Sequence, residues 1–293
     1  MPWRIEDELR KLGANFIQAG LWKGFAIRDA NLVTGQQKFS GTEVANRDPG
    51  SRRPLTGGLR TTRNTGAVEM NIAIVGTGRI GGNTARQLAR AGHHVTVSFS
   101  RDDAKLRQLA DEIGAQVAAP ATAVAASEVV VFSVPWAVIP AALEQAGPLA
   151  GKVVIDTTNQ FGSGPMPAAG QTAAAFNASR MPGARYTKSF NTLTSAFQAQ
   201  VARRQPRVVQ WLCGDDQQAK AIVSALIADC GYEPVDLGGT SGCAVMEAPR
   251  RSGAVYGEEY QLPEARAVVE AVAADRPIPP TPSYPSAYSW RSG

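Results

Sequence analysis

The stretch Met70-Asn-Ile-Ala-Ile-Val-Gly76-Thr-Gly78-Arg-Ile-Gly81 constrains this chain more than any other. Asn71 to Val75 is a short apolar run of the kind a buried parallel strand shows, and it breaks into Gly76-x-Gly78-x-x-Gly81. An amphipathic helix follows and stops at Gly92. A glycine triplet alone marks only a turn. Between a strand and a helix it marks a dinucleotide site, because each glycine then has a task. Gly76 allows a tight turn, Gly78 lets backbone approach a pyrophosphate, and Gly81 lets the helix pack close on the strand. The phosphates then meet free amides at the positive end of the helix.

Strands and helices alternate from there. Val95 to Ser98 reads as a second strand, and Asp103 to Ile113 as a helix with Asp102 as its N-cap and Gly114 closing it. Glu128 to Phe132 and Lys152 to Ile155 read as further strands, with an alanine-rich helix between them. Arg207 to Leu212 is a strand, Asp216 to Asp229 a helix ended by Gly231, and Tyr232 to Asp236 an edge strand. Pro263 to Ala274 makes one more short helix, and the proline-rich tail from Arg276 is extended or disordered. This alternation predicts an α/β fold, a doubly wound parallel sheet of the Rossmann NAD(P)-binding type.

The second strand carries the choice of dinucleotide. An NAD site has an acid at its end that accepts from the ribose 2′-hydroxyl. Here the strand ends Ser98-Phe-Ser100-Arg101, with Lys105 one helical turn on. A hydroxyl and two cations suit a 2′-phosphate, so Ser100, Arg101 and Lys105 point to NADP rather than NAD. The bland alternative is that both cations are solvated charges at a helix start. Asp102 and Asp103 fall after the strand and read as acids favoured by the helix dipole.

Ligands in such sheets sit beyond the carboxyl ends of the strands, where Ser133 to Trp136, Asp156 to Asn159 and Ser189 to Thr192 arrive. Val134 and Pro135 offer an apolar wall and a rigid turn for a nicotinamide ring. Asn159 and Asn191 have amides able to hold a carboxamide or a substrate carbonyl, or else to satisfy their own turns. Ser189 is a further cofactor candidate at this edge. Asp156 is the one carboxylate at a strand end and reads as structural, so no catalytic acid or base is expected. Hydride transfer between two rings needs positioning more than proton transfer.

Charge bears on partners. Residues 1–69 hold 11 Lys+Arg against 7 Asp+Glu, whereas the remainder holds 19 against 18. The basic balance therefore belongs to the N-terminal stretch, and no nucleic-acid partner is expected. No apolar run reaches the ~18 residues of a membrane span, and Met1 to Glu8 has no signal-peptide core, so a cytoplasmic location is expected. Cys213, Cys230 and Cys243 are isolated, which favours buried thiols over a disulfide or a metal site. His93 and His94 are adjacent and form no ligand set, so no metal is expected.

Six words stand in fixed order along residues 70–247: Gly76-Thr-Gly78-Arg-Ile-Gly81-Gly, Ala91-Gly-His-His-Val, Ser100-Arg101 with Lys105, Val134-Pro135-Trp136, Cys213-Gly-Asp-Asp216 and Pro234-Val-Asp-Leu-Gly238. By these words the stretch resembles the F420H2:NADP oxidoreductase family, which acts with the deazaflavin coenzyme F420. The resemblance implies that Thr77, Gly78, Arg79 and Ile80 contact pyrophosphate and ribose. It also implies that Ser100, Arg101 and Lys105 hold the 2′-phosphate and that Val134 lies near the nicotinamide. Hydride would pass directly to coenzyme F420, in a possible homodimer. A flavin, quinone or metal acceptor is the alternative within this fold, and an NADP-binding regulatory protein without turnover is the alternative outside it.

Ala14 to Ala45 resembles the C-terminal end of a DJ-1/PfpI-type protein, with no cysteine before Cys213 to act as that family's reactive thiol. In this segment Glu6 to Leu12 reads as helix, and Ala26 to Arg28 and Asn31 to Thr34 as short strands. The expected domains are a DJ-1-like remnant at 1–45, a basic disordered linker at 46–69, the NADP-binding domain at 70–247 and a C-terminal extension at 248–293. Met70 is a possible natural start.

Overall fold

Val129–Phe132 and Val153–Asp156 carry no polar alternation, and both are buried along their whole length. That is the pattern of strands covered on both faces. The computed structural model describes residues 68–284 and one earlier hairpin, and the chain divides into two compact units, residues 1–68 and 69–293. In the first unit β1 (Ala26–Asp29) pairs antiparallel with β2 (Leu32–Gly35), where the sequence suggests two short strands. The helix expected at Glu6 to Leu12, the rest of the DJ-1-like segment and the linker to residue 67 lie outside the described residues, as does the tail from residue 285.

The second unit is built on an eight-stranded sheet. Its strands are β3 (Asn71–Val75), β4 (His94–Ser98), β5 (Gln116–Val117), β6 (Val129–Phe132), β7 (Val153–Asp156), β8 (Arg185–Ser189), β9 (Val209–Gly214) and β10 (Glu233–Asp236). They lie in the order β10-β9-β8-β7-β6-β3-β4-β5. Neighbours from β8 to β5 are parallel, and the order reverses at β3, which makes the sheet doubly wound. The expected doubly wound parallel sheet is present, with one antiparallel junction. β9 runs antiparallel to β8, and β10 follows β9 in parallel.

Eight helices of the described residues join these strands: α1 (Arg79–Ala91), α2 (Asp103–Ile113), α3 (Pro120–Ala125), α4 (Ile139–Ala146), α5 (Ala173–Ser179), α6 (Ser195–Val201), α7 (Gln217–Asp229) and α8 (Leu262–Ala273). Ile72, Ile74, Val97, Val131 and Ile155 face one core, filled from above by Leu88 of α1, Leu106 and Leu109 of α2, and Val223 and Leu226 of α7. Val75, Val130, Phe132, Val154 and Trp211 face the other, closed by Ile139 of α4, Ala173 of α5 and Val268 of α8. Helix ends follow local chemistry. The Asp102 carboxylate accepts from the Ala104 and Lys105 amides and starts α2, and Gly114 in the left-handed region ends it. Asp216 caps α7 in the same way.

The cysteine expectation is corrected. Cys213 on β9 and Cys243 in the 3-10 stretch Thr240–Met246 form a disulfide, with Cα atoms 5.9 Å apart. The fold brings together two residues 30 positions apart that spacing alone leaves unrelated. Cys230 remains a free, buried thiol. No described helix is long and apolar enough to cross a membrane.

Candidate functional site

The three motif glycines have three different surroundings. Gly76 has φ +98°, and a Cβ there would sit 2.3 Å from the Ser133 carbonyl oxygen, so the turn packs directly on the end of β6. A Cβ on Gly81 would lie 2.0 Å from the Gly76 oxygen, so α1 is pressed against the turn it leaves. Above Gly78 nothing lies within 4 Å. Two glycines therefore permit close packing and the middle one faces open space, the arrangement a pyrophosphate needs over the helix start. A cleft of about 570 Å³ opens there, lined by Thr77, Gly78, Arg79 and Lys105, with Ser195 of α6 opposite. Asn83 donates to the Ser195 carbonyl at 2.7 Å and ties α1 to α6. Ile80 is half-buried against the core.

The cleft does not reach every candidate residue. Ser100, Arg101, Val134, Asn159 and Asn191 lie outside its lining. They follow β4, β6, β7 and β8, whose carboxyl ends lie along one edge of the parallel part of the sheet. Two of these strands end alike. Phe99 after β4 and Phe190 after β8 both hold φ +58°, a conformation that costs a bulky residue about 1–3 kcal/mol. Each strained turn is followed directly by candidates, Ser100 and Arg101 in one case and Asn191 in the other.

After β4, Ser100 Oγ accepts from the Asp102 amide at 3.1 Å and donates to the Asp102 carbonyl at 3.0 Å. Arg101 is exposed and has no ion-pair partner among the described residues. Lys105 Nζ lies 3.4 Å from the Asp102 carboxylate in a largely exposed pair. The Lys105 backbone N–H, the strongest influence, holds that carboxyl below its ordinary range. Asp102 is thus the cap that the dipole argument expects, and its charge also neighbours a cation assigned to phosphate.

After β6, Val134 is buried against Gly76, where a Cβ would lie 2.8 Å from Val134 Cγ1, and Pro135 is exposed ahead of the 3-10 turn Trp136–Val138. After β7 and β8 the two asparagines act as a pair. Asn159 Nδ2 donates to the Asn191 carbonyl at 2.9 Å, and Asn191 Nδ2 donates to Asn159 Oδ1 at 3.1 Å and to the Met246 carbonyl at 2.7 Å. Asn191 Oδ1, Thr192 Oγ1 and Gln160 Oε1 are buried without a partner. Unmet polar capacity at this one edge is what a carboxamide-bearing ring would use.

Ser189 is corrected. It is fully buried, and its hydroxyl donates to the Trp211 carbonyl at 2.7 Å, so it fastens β8 to β9 instead of facing a ligand.

Below the edge lies a polar cluster that sequence reading saw only in part. Asp156 ends β7 with no exposed surface. It accepts from the Thr158 amide at 2.7 Å, Asn177 Nδ2 at 2.7 Å and the Tyr186 hydroxyl at 2.5 Å. Lys188 Nζ lies 3.4 Å from the same carboxylate and donates to the Thr158 carbonyl at 2.6 Å. Burial alone would raise the Asp156 carboxyl, but the Lys188 ammonium and three hydrogen bonds outweigh it and hold it below the ordinary range. Burial first, and the Asp156 charge next, push the Tyr186 hydroxyl well up, so it stays a donor. This arrangement holds the Thr158 peptide, next to Asn159, by both its N–H and its C=O. Among the described residues no group of three or more metal-ligating side chains occurs.

Comparison with known proteins follows from this geometry. The model of the family described as NADP oxidoreductase, coenzyme F420-dependent, matches residues 71–160. A candidate F420-dependent NADP-reductase from Arthrobacter sp. FB24 is 30% identical, with a TM-score of 0.51 over 59% of this chain and 86% of that one. A hypothetical protein from Sinorhizobium meliloti, SMa0349, is 26% identical with a TM-score of 0.59, over 66% of this chain and 96% of that one. The metalloreductase STEAP3 of Rattus norvegicus is 29% identical over 177 residues, 60% of this chain. The match spans only 36% of the metalloreductase's length.

Proposed function

This chain belongs to the coenzyme F420-dependent NADP oxidoreductase family, and from that premise we propose that it moves hydride between NADPH and the deazaflavin coenzyme F420. NADPH supplies two electrons and one proton as hydride from its ring, and the acceptor takes these with one proton from water. The observation that carries the reading is the division of labour among Gly76, Gly78 and Gly81, joined to a second strand that ends in Ser100-Arg101 without an acid. In this account the α1 amides beside Thr77, Gly78 and Arg79 hold the pyrophosphate. Arg101 and Lys105 take the 2′-phosphate, Arg101 as a planar fork and Lys105 as a point charge once drawn from Asp102. Val134 and Pro135 wall the nicotinamide, and Asn191 Oδ1 accepts from its carboxamide.

Positioning does the catalytic work. Asp156 and Lys188 are sealed from solvent and neutralise each other, so they serve the backbone and not a proton transfer. A metal acceptor is the second reading, favoured by the likeness to the metalloreductase. The test is NADPH oxidation by the purified protein with coenzyme F420, FMN or a ferric chelate offered separately. The account expects turnover with coenzyme F420. Turnover with the chelate alone supports the metal reading, and NADPH binding without turnover supports a regulatory protein.

A further inference from the structure

The 3-10 stretch Thr240–Met246 crosses the sheet from one edge to the other. At its start the Asp215 carboxylate, just past the end of β9, accepts from the Thr240 amide at 3.0 Å and from the Thr240 hydroxyl at 2.9 Å. At its end the Met246 carbonyl accepts from Asn191 Nδ2 at 2.7 Å, just past the end of β8. β8 and β9 are antiparallel, so these two ends lie at opposite edges. Cys243 sits mid-stretch, and its bond to Cys213 ties the stretch covalently to the sheet. Directly after Met246, the buried Glu247 carboxylate accepts from the Ala173 and Ala174 amides at 2.8 and 2.7 Å. It thereby holds the start of α5, whose Asn177 donates to Asp156. A cleft of about 650 Å³ is lined by Gly242, Ala244 and Val245, the residues around Cys243, and by Val269 and Val272 of α8. It shares no lining residue with the dinucleotide cleft.

We propose that Cys213–Cys243 is a thiol–disulfide exchange site, and that its state sets how firmly Asn191 is held. The co-reactant is a dithiol, which supplies two electrons and two protons. Its thiolate attacks Cys243 Sγ, the Cys213–Cys243 bond breaks, and Cys213 leaves as a thiolate that takes a proton. The second thiol of the reductant then displaces Cys243 from the mixed disulfide, Cys243 takes the other proton, and the dithiol departs as a disulfide. Both cysteines are fully buried, so attack follows outward movement of the stretch, and the cleft beside Gly242 and Ala244 supplies the room. Cys243 is the sulfur reached, because Cys213 lies on a strand paired on both sides. With the tie cut, only hydrogen bonds and packing hold the stretch, and these open locally at lower cost. The Met246 carbonyl and the Glu247 carboxylate are adjacent, so they loosen together, and Asn191 and the start of α5 loosen with them. The consequence for the dinucleotide rests on reading Asn191 as the partner of the nicotinamide carboxamide.

The experiment compares the full chain before and after dithiothreitol with the variant Cys243→Ala. Unfolded without reductant, the untreated chain should alkylate at Cys230 alone, and after dithiothreitol at Cys213, Cys230 and Cys243. Labelling of all of them without reductant overturns the proposal. In the folded protein without nucleotide, reduction should speed amide hydrogen exchange roughly tenfold at residues 244–248 and at Ala173 and Ala174. NADPH affinity should weaken roughly three- to tenfold on reduction. Cys243→Ala should match reduced wild type in both readings and ignore dithiothreitol; if it does not fold, wild type before and after reduction decides. Exchange at these amides that is unchanged on reduction overturns the proposal, as does a Cys243→Ala protein that still responds to dithiothreitol. Faster exchange with NADPH affinity unchanged leaves the exchange site standing and sinks the reading of Asn191 as the carboxamide partner.

Discussion

Lys188 and Asp156 share one sealed site, Nζ 3.4 Å from Oδ2, with no exposed surface on either side chain. Removing one partner leaves the other as an uncompensated buried charge. Asp156→Asn and Lys188→Met are each expected to cost about 3–5 kcal/mol in urea unfolding, with the double variant costing less than the sum. Additive losses would mean that the pair is not coupled.

The same carboxylate gives a pH dependence. Its folded-state value lies below that of the unfolded chain, so its contribution is present above roughly pH 4 and is lost as pH falls through the folded value. Wild type should therefore lose more unfolding free energy between neutral pH and acid than a double variant lacking both charges, whose stability starts lower and changes less with pH. Equal pH slopes of urea-unfolding stability in the two would remove this assignment.

Gly78 and Gly81 should separate folding from binding. Gly81→Ala drives a methyl group into the Gly76 carbonyl and is expected to destabilise by about 1–3 kcal/mol or more. Gly78→Ala meets open space at φ −67°, so stability should hold while NADPH affinity falls. Thermal unfolding beside an NADPH titration tests both, and unchanged affinity in Gly78→Ala would break the pyrophosphate assignment.

Arg101→Ala tests the 2′-phosphate. Losing one charge-assisted contact should weaken NADPH by about 10–100-fold and leave NADH nearly untouched. Fluorescence titration with both nucleotides decides, and equal losses contradict the assignment.

Much of this was legible because local chemistry decided it. Asp102 and Gly114 mark both ends of α2, and Gly76 to Gly81 announce a strand, a turn and a helix. Where several distant residues must agree, the sequence is silent. β8 reads Arg-Tyr-Thr-Lys-Ser and has no apolar pattern, yet it is a central strand. Its burial is possible only because Thr187 donates to Val154, Lys188 to Thr158 and Ser189 to Trp211. That is also why Ser189 was legible as an edge residue but not as a sheet fastener. The reversed direction of β9, the Cys213–Cys243 link and the mutual bonds of Asn159 and Asn191 all depend on contacts that no spacing encodes. α3 and α5 are too short to show a helical period.

A chain starting at Met70 should retain fold and NADPH affinity, because the sheet and both cores draw on residues from Met70 onward among those described. An insoluble product would show that the division at residues 69 and 70 is misplaced.

The most direct test follows both chromophores in one cuvette, with NADPH and oxidised coenzyme F420 mixed with the full chain. The account predicts that the nicotinamide and deazaflavin absorbances fall together, one for one, and that neither falls without protein. NADPH bound, with the deazaflavin band unchanged, would contradict it.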